Sequence, residues 1–582
     1  MNAPRTTTNR RRHVSPSAVA LLWLVIVAPL ARWGLPDRSR DALLFGGAPA
    51  WPAERFAAGG AASALQTRAA GADTDSNPRA ATTQPVILTE SDAARAEILM
   101  RYRLYARQPD EMITFRALAR MHPRERDFDP QLYQYGGGYV YAVGAALAAG
   151  AALHLVHLTG DINYYLNTPE AFGRFYLVAR ALSLLGGALL LVAVFRLGAR
   201  AAGRTAGWVA LLLTALTPVF LSGALEAKPH VPAACVTLWA IEAALAYRRR
   251  PSNGHAAWLG VLSGYAVALV PTGLAAMASW VVLCGTTARR AWRTRAFTRQ
   301  LALIGGLAVA VYAVCNPYVV YHTLVPGSAA LGSNVQNSTA MYRIGAWGAG
   351  LENVTLLMLL AAGGGVLAAG AAGLGWLLRR APKPTLIAAA PGAAMLVLTV
   401  ALGAGKPAEF ARFLVLPVSL LAIAAAVFIV ALVRRSWLGG LLVATGVALS
   451  MPAPAYIAAF ARDAGGATES RYRAGEWLHK HAAPADAIAV LQEPAPYAVP
   501  PLDFSRRTVV LLPTARPAEF DPTALPSWLV FTADDEQTRA GEWWHAFYRG
   551  AARFPPPGTE LSPITWADKP VFIYARRSDA AP

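Results

Sequence analysis

The sequence predicts an all-helical protein that crosses a membrane about eleven times and ends in a small α/β domain. Three observations predict it. Of the 582 residues, 55% are hydrophobic and only 15% are charged, where a soluble domain carries about a quarter. Apolar runs of about 20 residues recur, each long enough for a bilayer core of about 30 Å. Short clusters of arginine and lysine separate those runs, the pattern of loops kept on the cytoplasmic side.

The basic residues 1–17 precede an apolar stretch, Ala18–Ala31. No small-x-small cleavage site follows it, so it reads as a signal-anchor with a cytoplasmic N-terminus. The span at about 18–33 leads into a long outer stretch, 34–136, in which 57–84 is Ala/Gly/Thr-rich and reads as a flexible insert. Spans at about 175–195 and 206–224 flank Arg196, Arg200 and Arg204, and a span at 231–247 ends at Arg248–Arg250. If residues 138–158 also crossed, every later basic cluster would fall on the outer side. That segment is therefore expected to lie at the outer interface, with Tyr133, Tyr135, Tyr139 and Tyr141 as an aromatic belt. Residues 257–285, broken at Pro271-Thr272-Gly273, read as two short helices in a hairpin. Spans at about 301–321, 352–378, 385–403, 411–433 and 437–459 complete the transmembrane region, 18–460. The tail, 461–582, falls outside, and its runs Ala487–Leu491, Trp528–Thr532 and Val571–Tyr574 read as strands.

The net charge of +19 does not read as nucleic-acid binding, because the charges sit in turns beside spans, where they set topology. Cys235, Cys284 and Cys315 lie in apolar segments and read as small core residues rather than metal ligands or disulfide partners. No GxxxxGK[ST], HExxH, CxxC or GxSxG pattern is present, and Gly136–Gly138 does not follow a strand as a phosphate loop does.

The chemistry falls to polar residues of the outer loops. Asp110 and Glu111 open a helical stretch. Adjacent acids there are more often ordinary helix-start residues favoured by the helix dipole. Glu226, Lys228 and His230 occupy a very short loop between two spans, where titratable groups more often have a partner or ligand. Lys406 and Arg412 sit at the outer end of a later span, and a lone arginine there suits an anionic group near the headgroups. A carboxylate that deprotonates a hydroxyl, together with cations suited to phosphate, fits transfer from a lipid phosphate. A transporter or flippase, or a non-catalytic envelope scaffold, remains open on the residues alone. Transporters usually carry charge near the midplane, which is nearly bare here.

The ordered set Pro109-Asp110-Glu111, Asp129-Pro130, Tyr133–Gly138, Arg180-Ala181-Leu182-Ser183, the basic turn Arg196–Arg204 and Arg412–Pro417 resembles the GT-C superfamily of integral-membrane glycosyltransferases. It lies near the protein O-mannosyltransferases and the lipid A aminoarabinose transferase. The likeness spans about 100–435, and the start of the tail, Ala474–Leu478, is similar to family tails. The resemblance implies a multi-pass inner-membrane enzyme that takes a sugar from a polyprenyl-phosphate donor, with inversion, on the periplasmic or extracellular face; the acceptor is left open. It implies that Asp110, with Glu111 beside it, is the catalytic base or a metal-binding acid, the metal being a divalent cation such as Mg or Mn. It makes Glu226, Lys228, His230, Tyr133 and Tyr135 substrate contacts. The loop holding Glu226 has Lys228-Pro229-His230 where family members often carry a second Asp. Position 271 is proline where they often carry lysine, so donor phosphate is expected to rest on Lys406 and Arg412.

Overall fold

The computed structural model describes residues 14–58, 79, 82–287, 292–325, 345–402, 410–518, 521–533, 541–555 and 564–577. Lys406 and most of the expected insert at 57–84 lie outside these. The described part is a helical bundle capped at one end by a mixed sheet.

The bundle is built around a 34-residue helix, α5 (Pro169–Ala202), and a helix running Val415–Arg435, α12. α5 packs against α1 (Pro16–Val27), α6 (Arg204–Ala215), α8 (His230–Arg249) and α12. Continuous apolar sequence explains why α12 is nearly buried all round, whereas a helix with one buried face would show an apolar stripe. Six helices among the described residues are long and apolar enough to cross a membrane, and eight spans result if each of two bent pairs counts as one. Three shorter apolar helices accompany them, including Pro16–Arg32 and Pro271–Thr286. The third, α4 (Gly137–Ala152), has 16 residues. At 1.5 Å per residue it is about 24 Å long, shorter than the bilayer core.

The sequence reads 206–224 and 352–378 each as one span; in the structure each is a pair of helices that meet at a bend. α6 meets α7 (Pro218–Ala224) at 67°, because Pro218 lacks the N–H that would continue the ladder. Trp347–Ala362, α9, meets Gly364–Arg380, α10, at 103°. The joint is Gly363 at φ +82°, a conformation glycine adopts at no steric cost. Pro382–Leu402, α11, follows.

Residues 461–582 supply five strands of a six-stranded sheet of order β1-β3-β2-β4-β6-β5. These are β2 (Ile488–Val490), β3 (Val509–Leu511), β4 (Trp528–Thr532), β5 (Tyr548–Phe554) and β6 (Val571–Arg576). β2 pairs in parallel with β3 and β4, and β6 runs antiparallel to β4 and β5. The sixth strand comes from the stretch 34–136: β1 (Val86–Ile87) pairs antiparallel with β3. Alternation along the strands buries both faces. Ile488, Val490 and Ile573 join the core of α2 (Asp92–Leu104), while Phe531, Phe572 and Tyr574 surround Trp544. The stretch that carries α2 and the tail therefore share one core.

Candidate active site

Asp110 sits at the start of α3 (Glu111–Ala119), the position at which a carboxylate usually caps a helix. It makes no such bond. Gln108 accepts instead, its Oε1 taking the N–H of Asp110 at 2.7 Å and that of Glu111 at 3.1 Å. The Asp110 carboxylate is thus released from capping and turns outward from its helix. Its Oδ2 meets Lys228 Nζ at 2.8 Å and also the Arg412 guanidinium. Lys228 Nζ lies 3.4 Å from Glu226 Oε2. Three stretches far apart in sequence meet at one carboxylate.

The site is shielded but open at Asp110, whose side chain is 19% exposed, against 2% for Lys228. Burial pushes the Asp110 carboxyl up, but Lys228 and Arg412 outweigh it and hold it well below the usual carboxylate range. Burial also pushes Glu226 up, and there it prevails over Lys228. His230 stands edge-on to Tyr135 at 6.0 Å and to Phe413 at 5.5 Å. A small cleft lined by His230, Thr272, Met395 and Arg412 opens beside them.

The structure brings together Asp110, Glu226, Lys228, Arg412, His230 and Tyr135. Two expected members stand elsewhere. Glu111, expected beside Asp110 in catalysis, is fully buried and chelates Arg180 with both oxygens, at 2.8 and 2.6 Å. It also accepts the N–H of Ala227 at 2.6 Å. Buried, with both oxygens bonded, it holds the loop that carries Lys228. Tyr133 donates to Asp129 at 2.6 Å, and the other oxygen of Asp129 pairs with His322 at 2.7 Å, a separate cluster.

Sequence reasoning missed the supports. Arg180 also donates to the carbonyls of Ala31 and Trp33, both at 2.6 Å, tying the end of the first apolar helix to the site. Behind Gln108, Arg107 and Arg471 interlock with Asp463 and Glu469, with all four side chains at most 1% exposed. An arginine next to the Gln-Pro-Asp-Glu stretch was the available signal, but its partners lie in the tail. The Gly136–Gly138 run allows close approach: a Cβ on Gly136 would stand 1.9 Å from the carbonyl oxygen of Ala268.

A divalent cation does not fit the arrangement. Among the described residues no group of three or more His, Cys, Asp or Glu converges, and the Asp110 oxygen a metal would use already faces two cations. Electrostatic repulsion opposes a third.

Solved transferase structures are similar in layout. ArnT from Cupriavidus metallidurans bound to undecaprenyl phosphate is 15% identical, with a TM-score of 0.43, over 97% of this chain and 98% of that one. The oligosaccharyltransferase AglB from Archaeoglobus fulgidus, in complex with an inhibitory peptide and a dolichol-phosphate, is 16% identical over 97% of this chain and 75% of its own, with a TM-score of 0.41. The S. cerevisiae protein O-mannosyltransferase Pmt1-Pmt2 complex bound to the sugar donor matches 55% of this chain and 35% of that chain at 12% identity and a TM-score of 0.27. No family model and no curated protein matches the chain. What the Asp110 cluster can do therefore follows from its own residues.

Proposed function

We propose that the chain is a membrane glycosyltransferase that moves a sugar from a polyprenyl-phosphate donor to an acceptor hydroxyl on the outer face. The single observation that carries this reading is the contact of one partly exposed carboxylate, Asp110, with two cations from two other elements, Lys228 and Arg412. Two such cations match a phosphate oxyanion in charge and hydrogen-bonding capacity. When donor phosphate takes them over, Asp110 loses the charges that depress its basicity and becomes the base. The acceptor oxygen attacks the anomeric carbon and its proton passes to Asp110. The bond from that carbon to the phosphate oxygen breaks, and its electron pair stays on the phosphate, stabilised by Lys228 and Arg412.

Lys406, six residues before Arg412, is proposed as a further phosphate contact, and His230 and Tyr135 as walls for the sugar. In this reading the groups work on the side of the membrane opposite the basic turns, as the positive-inside pattern requires. Purified protein incubated with a polyprenyl-phosphate sugar and a mixture of hydroxyl acceptors tests the reading through released lipid phosphate. Release that depends on acceptor and is lost in Asp110→Asn supports it. Undiminished release by a folded Asp110→Asn protein, or donor uptake into vesicles without release, overturns it.

A further inference from the structure

At the other end of the bundle, between α5, α8, α10, α11 and α12, lies a cavity of about 370 Å³, within the ~300–1,000 Å³ range of ligand pockets. Its depth is aliphatic, with Leu377, Ala388, Leu396 and Leu421 among the walls, and Arg200, Arg248 and Arg249 stand at its rim. We propose that this cavity is a binding site for an anionic phospholipid, one acyl chain inside and the phosphate on the arginines, in the leaflet opposite the Asp110 site.

Helix geometry sets the separation. Arg180, which anchors the catalytic loops, and Arg200 lie 20 positions apart on the continuous helix α5, about 30 Å at 1.5 Å per residue. His230 and Arg248 stand 18 positions apart on α8, about 27 Å by the same rise. Both spacings approach the thickness of the hydrocarbon core. The two sites therefore face opposite interfaces.

Charge complementarity selects the headgroup. Glu242 serves Arg196 and Arg200 together, at 3.2 and 2.8 Å, so the rim keeps an excess of positive charge. Arg200 Nη1 is buried with no hydrogen-bond partner, and no carboxylate among the described residues pairs with Arg248 or Arg249. Basic turns alone serve topology. An unmet guanidinium donor at the mouth of an aliphatic cavity asks in addition for an anion that carries a hydrocarbon chain, as basic pockets between membrane helices do for acidic lipids.

The test is native mass spectrometry of the full chain in detergent, titrated with dioleoyl phosphatidylglycerol or dioleoyl phosphatidylcholine. The expected result is a phosphatidylglycerol adduct at a concentration at least tenfold lower than for phosphatidylcholine. Arg248→Gln with Arg249→Gln should reduce that preference at least fivefold. Ala388→Phe fills the cavity, alters no charge and leaves topology signals intact; it should abolish the tight adduct. Equal adducts of the two lipids, or an unchanged phosphatidylglycerol preference in Ala388→Phe, would overturn the proposal. Neither variant touches the Asp110 cluster, so lipid-phosphate release reports on the transferase reading separately.

Discussion

In the proposed reaction Asp110 depends on a neighbour two residues earlier. Because Gln108 caps the helix, the carboxylate is available to Lys228 and Arg412. Asp110→Asn should therefore lower transfer by about 10²–10⁴, the range for loss of a general base, while donor binding, freed of a competing carboxylate, should not weaken; lipid-phosphate release under single-turnover conditions separates the two. The pH response follows from the same contacts. A carboxyl whose folded pKa is depressed contributes stability at pH values above its unfolded value of about 3.9, and loses it as pH falls through the folded pKa. Removing one cation, as in Lys228→Gln, leaves the upward push of burial less opposed. The acidic limb of the activity profile should then move to higher pH, measured as release against pH for both proteins. The polar groups beside the spans were legible because charge at a span end is conspicuous in apolar sequence. The division of labour between Asp110 and Glu111 was not. Adjacent acids look alike until the fold brings Arg180, 69 positions away, against one and not the other.

Among elements, α3 and α5 are joined by the Glu111–Arg180 pair. Breaking a buried pair leaves one charge uncompensated, at a cost of about 3–5 kcal/mol, whereas replacing both partners with apolar residues is often tolerated. Arg180→Met should thus lower the thermal midpoint in detergent, and the double variant with Glu111→Leu should recover part of the loss. Failure of the double variant to recover anything would mean that the bonds from Arg180 to Ala31 and Trp33 dominate. The seat of α4 predicts a second effect. Gly136→Ala forces a methyl against the backbone of Ala268, which cannot yield as a flexible side chain does, so folded yield after extraction should fall sharply. Strands at 488–490, 528–532 and 571–576 were readable from alternation. The bends after α6 and α9 were not, although Pro218 and Gly363 mark them. Hydropathy over about 20 residues measures apolar content and says nothing of direction.

The whole molecule is closed by charges that the sequence separates widely. Arg107 stands one residue before Gln108 and pairs with Asp463 and Glu469, so these pairs are joined to Asp110 by only two residues of backbone. Asp463→Asn should destabilise the sheet and lower turnover together, and limited proteolysis should cut 79–111 faster in the variant. Enhanced cleavage of the tail alone would show that the first outer stretch holds its place unaided. Neither the tail's strand borrowed from residues 86–87 nor this network could be read in advance, because both depend on which distant residue completes a pair.

That distance has a consequence for biogenesis. Arg107 and Asp463 are 356 positions apart, and translation at about 5–20 residues per second puts roughly 20 to 70 s between the emergence of one and its partner. Throughout that interval the nascent chain holds an arginine destined for a dry interior, and a strand, β1, whose partner β3 has yet to be made.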